Sequence, residues 1–574
     1  MVANVYTPPP RRFVPQGLGL NEFADIEPLY HALIDRPIAS GEELERWIAD
    51  MDELWAFGDE VYQRRYIAKS CQTDDAALDA AFLKFVEEIE PKIKPLYHQL
   101  EQKLLASPHL AALAQRDRRY AMLERKVRAS SELYRDENVP LQTEATKVVN
   151  DYEKTCGAMM VTFRGQEYTL PQLARFQEET DRATREEAWR LAVERRLRDR
   201  EKIESQYERL LSLRHTISRN AGKQDFRDYA WTMWERFDYT PDDCLAFADA
   251  IAECVVPIVH ELNVRRARDL GLEKLRPWDT QVDVKGRSPL RPFAQDDIGR
   301  LVDGTKQIFA RLSPQLADDF ESLRGNLDLA SRKGKQPGGY QAFLPEARDA
   351  FIFMNAAGLH RDVNILLHEG GHAFHTIAAR VEPLALLSFA PIEFCEVASM
   401  SMELFGADHF DLVYADPADA ARARRGLLEG VIKLFPWVAI IDQFQHWAYT
   451  HAGHSRAERT AEWLRLADRF WNKADWGGLD RYRETWWQKQ LHLFQCPFYY
   501  VEYAMAQIGA LQLWVKSRRD PHGAIANYRA ALRLGGTRRV PELFAAAGIV
   551  FDFSERTLAP LMNAIGEELA ALPR

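Results

Sequence analysis

The stretch LLHEGGHAFH, residues 366–375, constrains this chain more than any other. Two imidazoles four residues apart reach one metal ion only if the backbone between them is α-helical. At 3.6 residues per turn, His368 and His372 then share a face, one turn apart. The flanking residues agree, since Val363, Leu366, Leu367, Ala373 and Ile377 fall on positions where one face of such a helix is buried. Glu369 sits beside the first ligand, placed to face a water on the ion. Zinc suits this set, because it favours nitrogen ligands, keeps an open position in catalytic sites and lowers the pKa of bound water to about 7. Glu369 is then a candidate general base. Gly370 and Gly371 each cost a helix about 1 kcal/mol relative to alanine. That predicts a close backbone approach here, by the preceding strand or by a bound peptide.

The third ligand must come from another segment. His375 lies seven residues past His368, about 10 Å along the helix axis, and zinc–nitrogen bonds of about 2.0–2.1 Å do not span that. His375 is expected to pack, or to orient a ligand from behind. The extended motif HExxHxxGxxH is absent, because His372 is followed by AFHTIA. Downstream, LSFAPIEFCEVASMSMELFG (387–406) has a helical pattern with carboxylates at Glu393, Glu396 and Glu403. A helix crossing the first one could deliver one carboxylate to the metal and set another behind a histidine. Glu396 and Glu403 share a face, Glu393 precedes them by one turn, and spacing alone does not choose among the three.

The rest of the chain bounds the setting. At 574 residues it is too long for one small core. A net charge of −10 favours solubility and gives no support for binding nucleic acid or acidic membranes. The six cysteines are dispersed with no CxxC, which reads as reduced thiols in a cytoplasm. No signal-peptide core and no apolar run of about 18 residues occurs, so no membrane span is expected. Residues 1–20, with a PPP run, read as an extended tail, and 21–200 as a helical N-terminal lobe. Within and just beyond it, 78–106 and 184–223 are long amphipathic stretches, the second stopping at Asn220-Ala-Gly. Residues 201–574 form the remaining unit. Turn formers interrupt it at 278–293 and 331–355, and Phe351–Met354 is a strand candidate. The expectation is a mainly α chain with a small sheet beside the metal helix.

HEGGHAFH, followed 24 residues after His372 by Glu396 in FCEVASMSMELF, resembles the thimet oligopeptidase and oligoendopeptidase F family of zinc metallopeptidases. QDFRDYAWTMWERFDYTPDDCLAF (224–247), GKQPGGYQ (334–341), AFIFMN (350–355), HLFQCPFYYVEYAMAQIGALQLW (492–514) and GGTRRVPELFAAAG (535–548) carry the same resemblance. It is closest to the bacterial oligoendopeptidase F and Pz-peptidase branch. The resemblance implies a two-lobed zincin with a deep central channel that admits short, unstructured peptides and hydrolyses internal bonds. It implies one zinc ion per chain, held by His368, His372 and Glu396, the glutamate opening Glu-Val-Ala-Ser. Glu403 is then the glutamate behind a ligand, and Glu393 is structural. His492 and Tyr503, eleven residues apart, match a histidine and tyrosine that face the metal, and Tyr500 matches a further tyrosine. All three are expected to stabilise the oxyanion, and Tyr499 is expected to be a core aromatic. Cys496 stands where the thimet branch carries a tyrosine. The family's edge strand maps to Phe351–Asn355, so Phe353 and Asn355 are expected to pair with the peptide main chain. Gly338, Gly339 and Tyr340 are expected to form a mobile loop over the site. Two rivals accompany this reading: a peptidyl-dipeptidase with the same centre, and an inactive peptide-binding protein. The sequence leaves the oligomeric state open.

Overall fold

The structure, a computed structural model, describes residues 6–471 and 474–573. Amphipathic periodicity decides most of it. Helix α1 (Gly41–Cys71) starts at Ser40, whose hydroxyl accepts from the Glu43 N–H, and buries Leu44, Trp47, Ile48, Met51 and Leu54 along one stripe. Residues 76–105 run on helically through one π turn at Phe85–Ile89. That turn lies just ahead of Pro91, which has no N–H and whose ring cannot sit against the carbonyl four residues back. Helix α2 (Asn138–Gly157) leads into a hairpin of β1 (Met160–Phe163) and β2 (Gln166–Thr169). The long stretch 184–223 is a helix pair, α3 (Arg182–Arg198) and α4 (Arg200–Asn220). It ends as the sequence predicts, with Gly222 in the left-handed region at φ 74°.

Among the described residues three buried clusters form; the third gathers Trp189, Val193, Trp278, Leu479 and Tyr482, and the two largest divide the chain between Val127 and Leu133. The smaller runs from Val14 to Val127 and takes in Leu384 and Leu387 from the far part of the chain. The larger starts at Leu133 and includes Tyr152, Ala188, Ile203 and Tyr207. The packing therefore does not divide at residue 200, because α2, α4 and Ala188 of α3 pack into the larger core, while Trp189 and Val193 of α3 enter the third cluster.

Farther along come α5 (Pro241–Cys254) and a sheet of three short strands, β3 (Leu327–Ala330), β4 (Tyr340–Leu344) and β5 (Asp349–Ala356). The strand order is β3-β5-β4, with β5 parallel to β3 and antiparallel to β4, Tyr340 opposite Phe353 and Leu344 opposite Asp349. The predicted strand is thus present, but it is not an edge. Its apolar run, Phe351-Ile-Phe-Met, is the pattern of a strand covered on both faces, and both its main-chain edges are already paired. The outer edges belong to β3 and β4, and the one that borders the cleft is that of β4.

β5 passes through Gly358 (φ 82°) into α6 (His360–Ala379), the metal helix. Asp362 caps the entry by accepting from the Ala357 and Leu359 N–H groups, both at 2.8 Å. Helix α7 (Ile392–Ala407) crosses α6 at the glycine pair. A Cβ on Gly371 would sit 2.5 Å from Ala398 O, and one on Gly370 would sit 2.7 Å from Phe309 Cζ. The close neighbours of these glycines are therefore α7 and an aromatic ring, and neither the strand nor a peptide. Helices α8 (Pro417–Thr450), α9 (Leu491–Gln495) and α10 (Val501–Ser517) complete the surroundings. Among the described residues, no helix is long and apolar enough to cross a membrane.

Candidate functional site

The glycine-mediated crossing brings Glu396 of α7 against the two histidines of α6. His368 Nε2 and His372 Nε2 each lie 3.4 Å from Glu396 Oε2. Ligands bonded at about 2.0–2.1 Å in a tetrahedron stand about 3.4 Å apart, so both histidine–glutamate spacings suit one zinc-sized ion, and all three donor atoms lie within 4.8 Å of one another. Each ligand has a partner that aims it. Glu403 Oε1 lies 2.8 Å from His368 Nδ1, which donates to it and leaves Nε2 bare for a metal. The Tyr499 hydroxyl donates to Glu396 Oε1 at 2.6 Å. Burial alone would raise the Glu396 carboxyl, yet the imidazoles of His372 and His368 hold it well below the usual range. His368 is correspondingly held well above its usual value, with burial opposed by Glu396 and Glu403. Two nitrogens and a carboxylate at this spacing fit zinc, and Glu393 is not among them. It is buried elsewhere, near Arg236 and Tyr239.

Glu369 is buried at 5% exposure with Oε2 unpartnered, and burial pushes its carboxyl up. A Cβ on Gly339 would come 3.4 Å from Glu369 Oε1 and 3.3 Å from Phe353 O, so a glycine there keeps the space beside the carboxylate open. His375 is buried, its Nε2 unpartnered and its ring edge-on to Phe394 at 6.1 Å. Burial drives its imidazole down to about 3, so it stays neutral. No hydrogen bond joins it to the three candidate ligands, which leaves it a packing role.

On the opposite wall a chain of hydrogen bonds fixes one proton after another. Trp437 Nε1, which can only donate, gives its hydrogen to Gln490 Oε1 at 3.1 Å. The Gln490 amide nitrogen therefore faces His492 Nδ1, 2.8 Å away, and donates to it. Burial lowers the His492 pKa to about 4, so the ring is neutral and carries its proton on Nε2. That proton points at Tyr503 Oη, 3.1 Å away, and the Tyr503 O–H is left free to donate into the cleft. Tyr500 is not part of this wall. Its ring lies 4.8 Å from that of His492, and it is not among the residues lining the cleft. Tyr499 and Tyr503 share the cleft face because they are four residues apart, whereas Tyr500 is rotated off it. Tyr499, expected to be a core aromatic, instead faces the cleft and donates to Glu396, while Tyr500 is not among the cleft's lining; Gln490 and Trp437, whose residue types carry no signal of their own, are not apparent in the sequence.

These groups face a cavity of about 530 Å³ bounded by β4 and by Gly338, Gly339 and Tyr340. Phe353 is fully buried, its ring stacked on Tyr340 at 4.7 Å, and does not reach the cleft. Asn355 pins the glycine loop by donating to Gln336 O at 2.9 Å and Gly338 O at 2.8 Å. Gln336 N donates to Ser70 O on α1 at 2.9 Å, and the Tyr340 hydroxyl bonds Ser70 Oγ. The segment expected to be a mobile loop is therefore tied on both sides, through Gln336, Gly338 (φ 97°) and Tyr340. Cys496 lines the cleft as a thiol, pushed up to about 12 by burial.

With this geometry in place, comparison with known proteins is informative. The family model described as peptidase family M3 matches residues 175–312 and 315–562, and the peptidase M3 N-terminal domain model matches 21–126. Among solved structures, the chain is similar to a protein assigned as oligoendopeptidase F, at 26% identity over 98% of this chain and 99% of that one, with a TM-score of 0.91. It is similar to PZ peptidase A in complex with an inhibitor, at 26% identity over 98% and 99% and a TM-score of 0.92. The fold also matches a protein from Bacillus anthracis assigned as oligoendopeptidase F, at 24% identity over 97% and 98% and a TM-score of 0.88. No curated protein sequence matches the chain.

Proposed function

Since the chain belongs to peptidase family M3, we propose that this peptidase is a zinc-dependent oligoendopeptidase cutting internal bonds of short, unstructured peptides. The observation that carries the reading is the clustering of His368, His372 and Glu396, with each histidine 3.4 Å from the glutamate, beside the unpartnered Oε2 of Glu369. Those three residues would hold one zinc ion. When bound, zinc supplies Lewis acidity and lowers the pKa of its water to about 7. Glu369 takes a proton from the attacking water at Oε2 and returns it to the leaving amine nitrogen, and its raised pKa suits both transfers. The Tyr503 O–H, freed by the Trp437–Gln490–His492 chain, donates to the scissile carbonyl oxygen as charge builds there. The peptide main chain lies along the free edge of β4, which reads backbone groups and tolerates varied side chains. The six free cysteines support a cytoplasmic setting.

The test uses purified protein of measured metal content and a mixed set of peptides 5–20 residues long, with and without a chelator. Internal cuts that vanish with the chelator and return with zinc support the reading. Zinc-loaded protein that binds peptides and cuts none would overturn it in favour of a binding protein.

A further inference from the structure

A second cavity of about 640 Å³ opens beside the first, and the two share Cys156, Arg196, Pro337, Gly338 and Lys489 along their common wall. They are two arms of one cleft. The second arm has an unusual lining for a chain of net charge −10: among the described residues its wall has six lysine and arginine side chains and no aspartate or glutamate. Three of the cations are neutralised from behind, Arg332 and Lys335 by Asp328 and Lys433 by Glu429. Arg196 and Lys489 stand where the arms meet, and among the described residues neither forms a salt bridge with a carboxylate, unlike Arg332, Lys335 and Lys433. Lys489 Nζ lies over the rings of Trp486 at 3.9 Å and Trp437 at 5.4 Å. Burial, and then Arg196, pull its pKa down to about 7, the condition of an ammonium with no counter-charge. Trp189, Trp471 and Trp476 extend the aromatic surface deeper into the arm.

Unpaired cations at the mouth of an aromatic pocket, next to a peptide-cutting centre, select for an anion that carries apolar bulk. We propose that this arm is a subsite for a carboxylate of the bound peptide, held between Arg196 and Lys489 while the adjoining side chain packs on the tryptophans. The proposal rests on the peptidase reading for its substrate class. The carboxylate is either the free C-terminus or an aspartate or glutamate side chain, since both present the same planar anion to a guanidinium and an ammonium.

The test compares three peptides of one length and sequence on the zinc-loaded protein: free C-terminus, amidated C-terminus, and amidated with a glutamate as the last residue. The wild type should show kcat/KM at least tenfold higher for a carboxylate-bearing peptide than for the neutral amide. In the double variant Arg196→Gln/Lys489→Met that ratio should fall to near one. Preference for the free C-terminus alone identifies a terminal anchor; equal acceptance of the glutamate amide identifies a side-chain subsite. Equal cleavage of acid and amide by the wild type, or an unchanged ratio in the variant, overturns the proposal. If the protein cuts none of the three, the peptidase reading fails on its own. Quenching of tryptophan fluorescence then decides the subsite, through a tenfold lower Kd for the carboxylate peptides that the variant abolishes. Equal Kd values would overturn it.

Discussion

His368, His372 and Glu396 have a counterpart elsewhere in the chain. Cys244 on α5, with Asp442 and His446 on α8, likewise brings three ligand-type atoms within 4.8 Å of one another. The first group faces a cleft, and the second is sealed, with Cys244 and Asp442 at 1% exposure and the His446 ring covered by Trp231 and Phe498. Glu403 and Tyr499 aim the ligands of the first. In the second, both Asp442 oxygens and both His446 nitrogens lack a hydrogen-bond partner. Burial, and then Asp442, hold the Cys244 thiol well above its usual pKa, so it keeps its proton. What remains is a buried Asp442–His446 contact one helical turn apart, with Asp442 Oδ2 3.3 Å from His446 Nε2. Donor atoms in proximity do not make a metal site. Access, and outer partners that fix each donor's direction, separate the two groups.

The comparison can be broken in several ways. The largest effect is expected from Glu369→Gln, which removes the base but no ligand. Turnover should fall on the order of 10³-fold with zinc content unchanged, and retained turnover would take Glu369 out of the chemistry. Tyr503→Phe should lower kcat by about 10²-fold with little change in KM. A pure KM effect would make Tyr503 a binding residue. A crossed pair of variants then tests the two groups directly. Structural zinc is worth about 10–16 kcal/mol over four ligands, so Glu396→Ala should weaken zinc binding by about 10²-fold. Asp442→Ala should leave zinc at one ion per chain yet cost about 3–5 kcal/mol of stability by stranding a buried histidine. Two ions per chain in the wild type, with one lost in Asp442→Ala, would overturn the distinction.

What the sequence discloses follows from range. The metal helix and the phase of Glu396 and Glu403 on α7 are local and periodic, so they are legible once a helix is assumed. Gly370 and Gly371 announce a close approach but not by what, because the partner helix is settled only in the packing. The strand is legible as a strand, while its place in the sheet is a non-local matter; that is how Phe353 and Asn355 came to be expected on a free edge that β4 owns. Tyr499 and Tyr500 are distinguished only by helical phase relative to Tyr503. Phe498, at φ 66° just before α10, makes that phase hard to read from the sequence. Arg196 and Lys489 lie far apart in the chain, and no composition or spacing rule unites them.

The smallest expected effect concerns direction alone. Neither His446 nitrogen makes a hydrogen bond, although Asp442 Oδ2 stands 3.3 Å from its Nε2, whereas His492 Nδ1 accepts one from Gln490. Gln490→Glu keeps the size of the side chain and replaces a donor by an acceptor. Trp437 would still donate to the carboxylate, but His492 would now turn Nδ1–H toward it. His492 Nε2 would then become an acceptor and capture the Tyr503 hydroxyl proton, which would no longer point at the substrate. A fall of about tenfold in kcat, with KM and zinc content held, is the expected result. Gln490→Leu, which leaves Nδ1 without any partner, should fall between the wild type and Gln490→Glu. If Gln490→Glu turns over like the wild type, the proton order along this wall does not matter to the reaction, and Tyr503 must act through its ring or not at all.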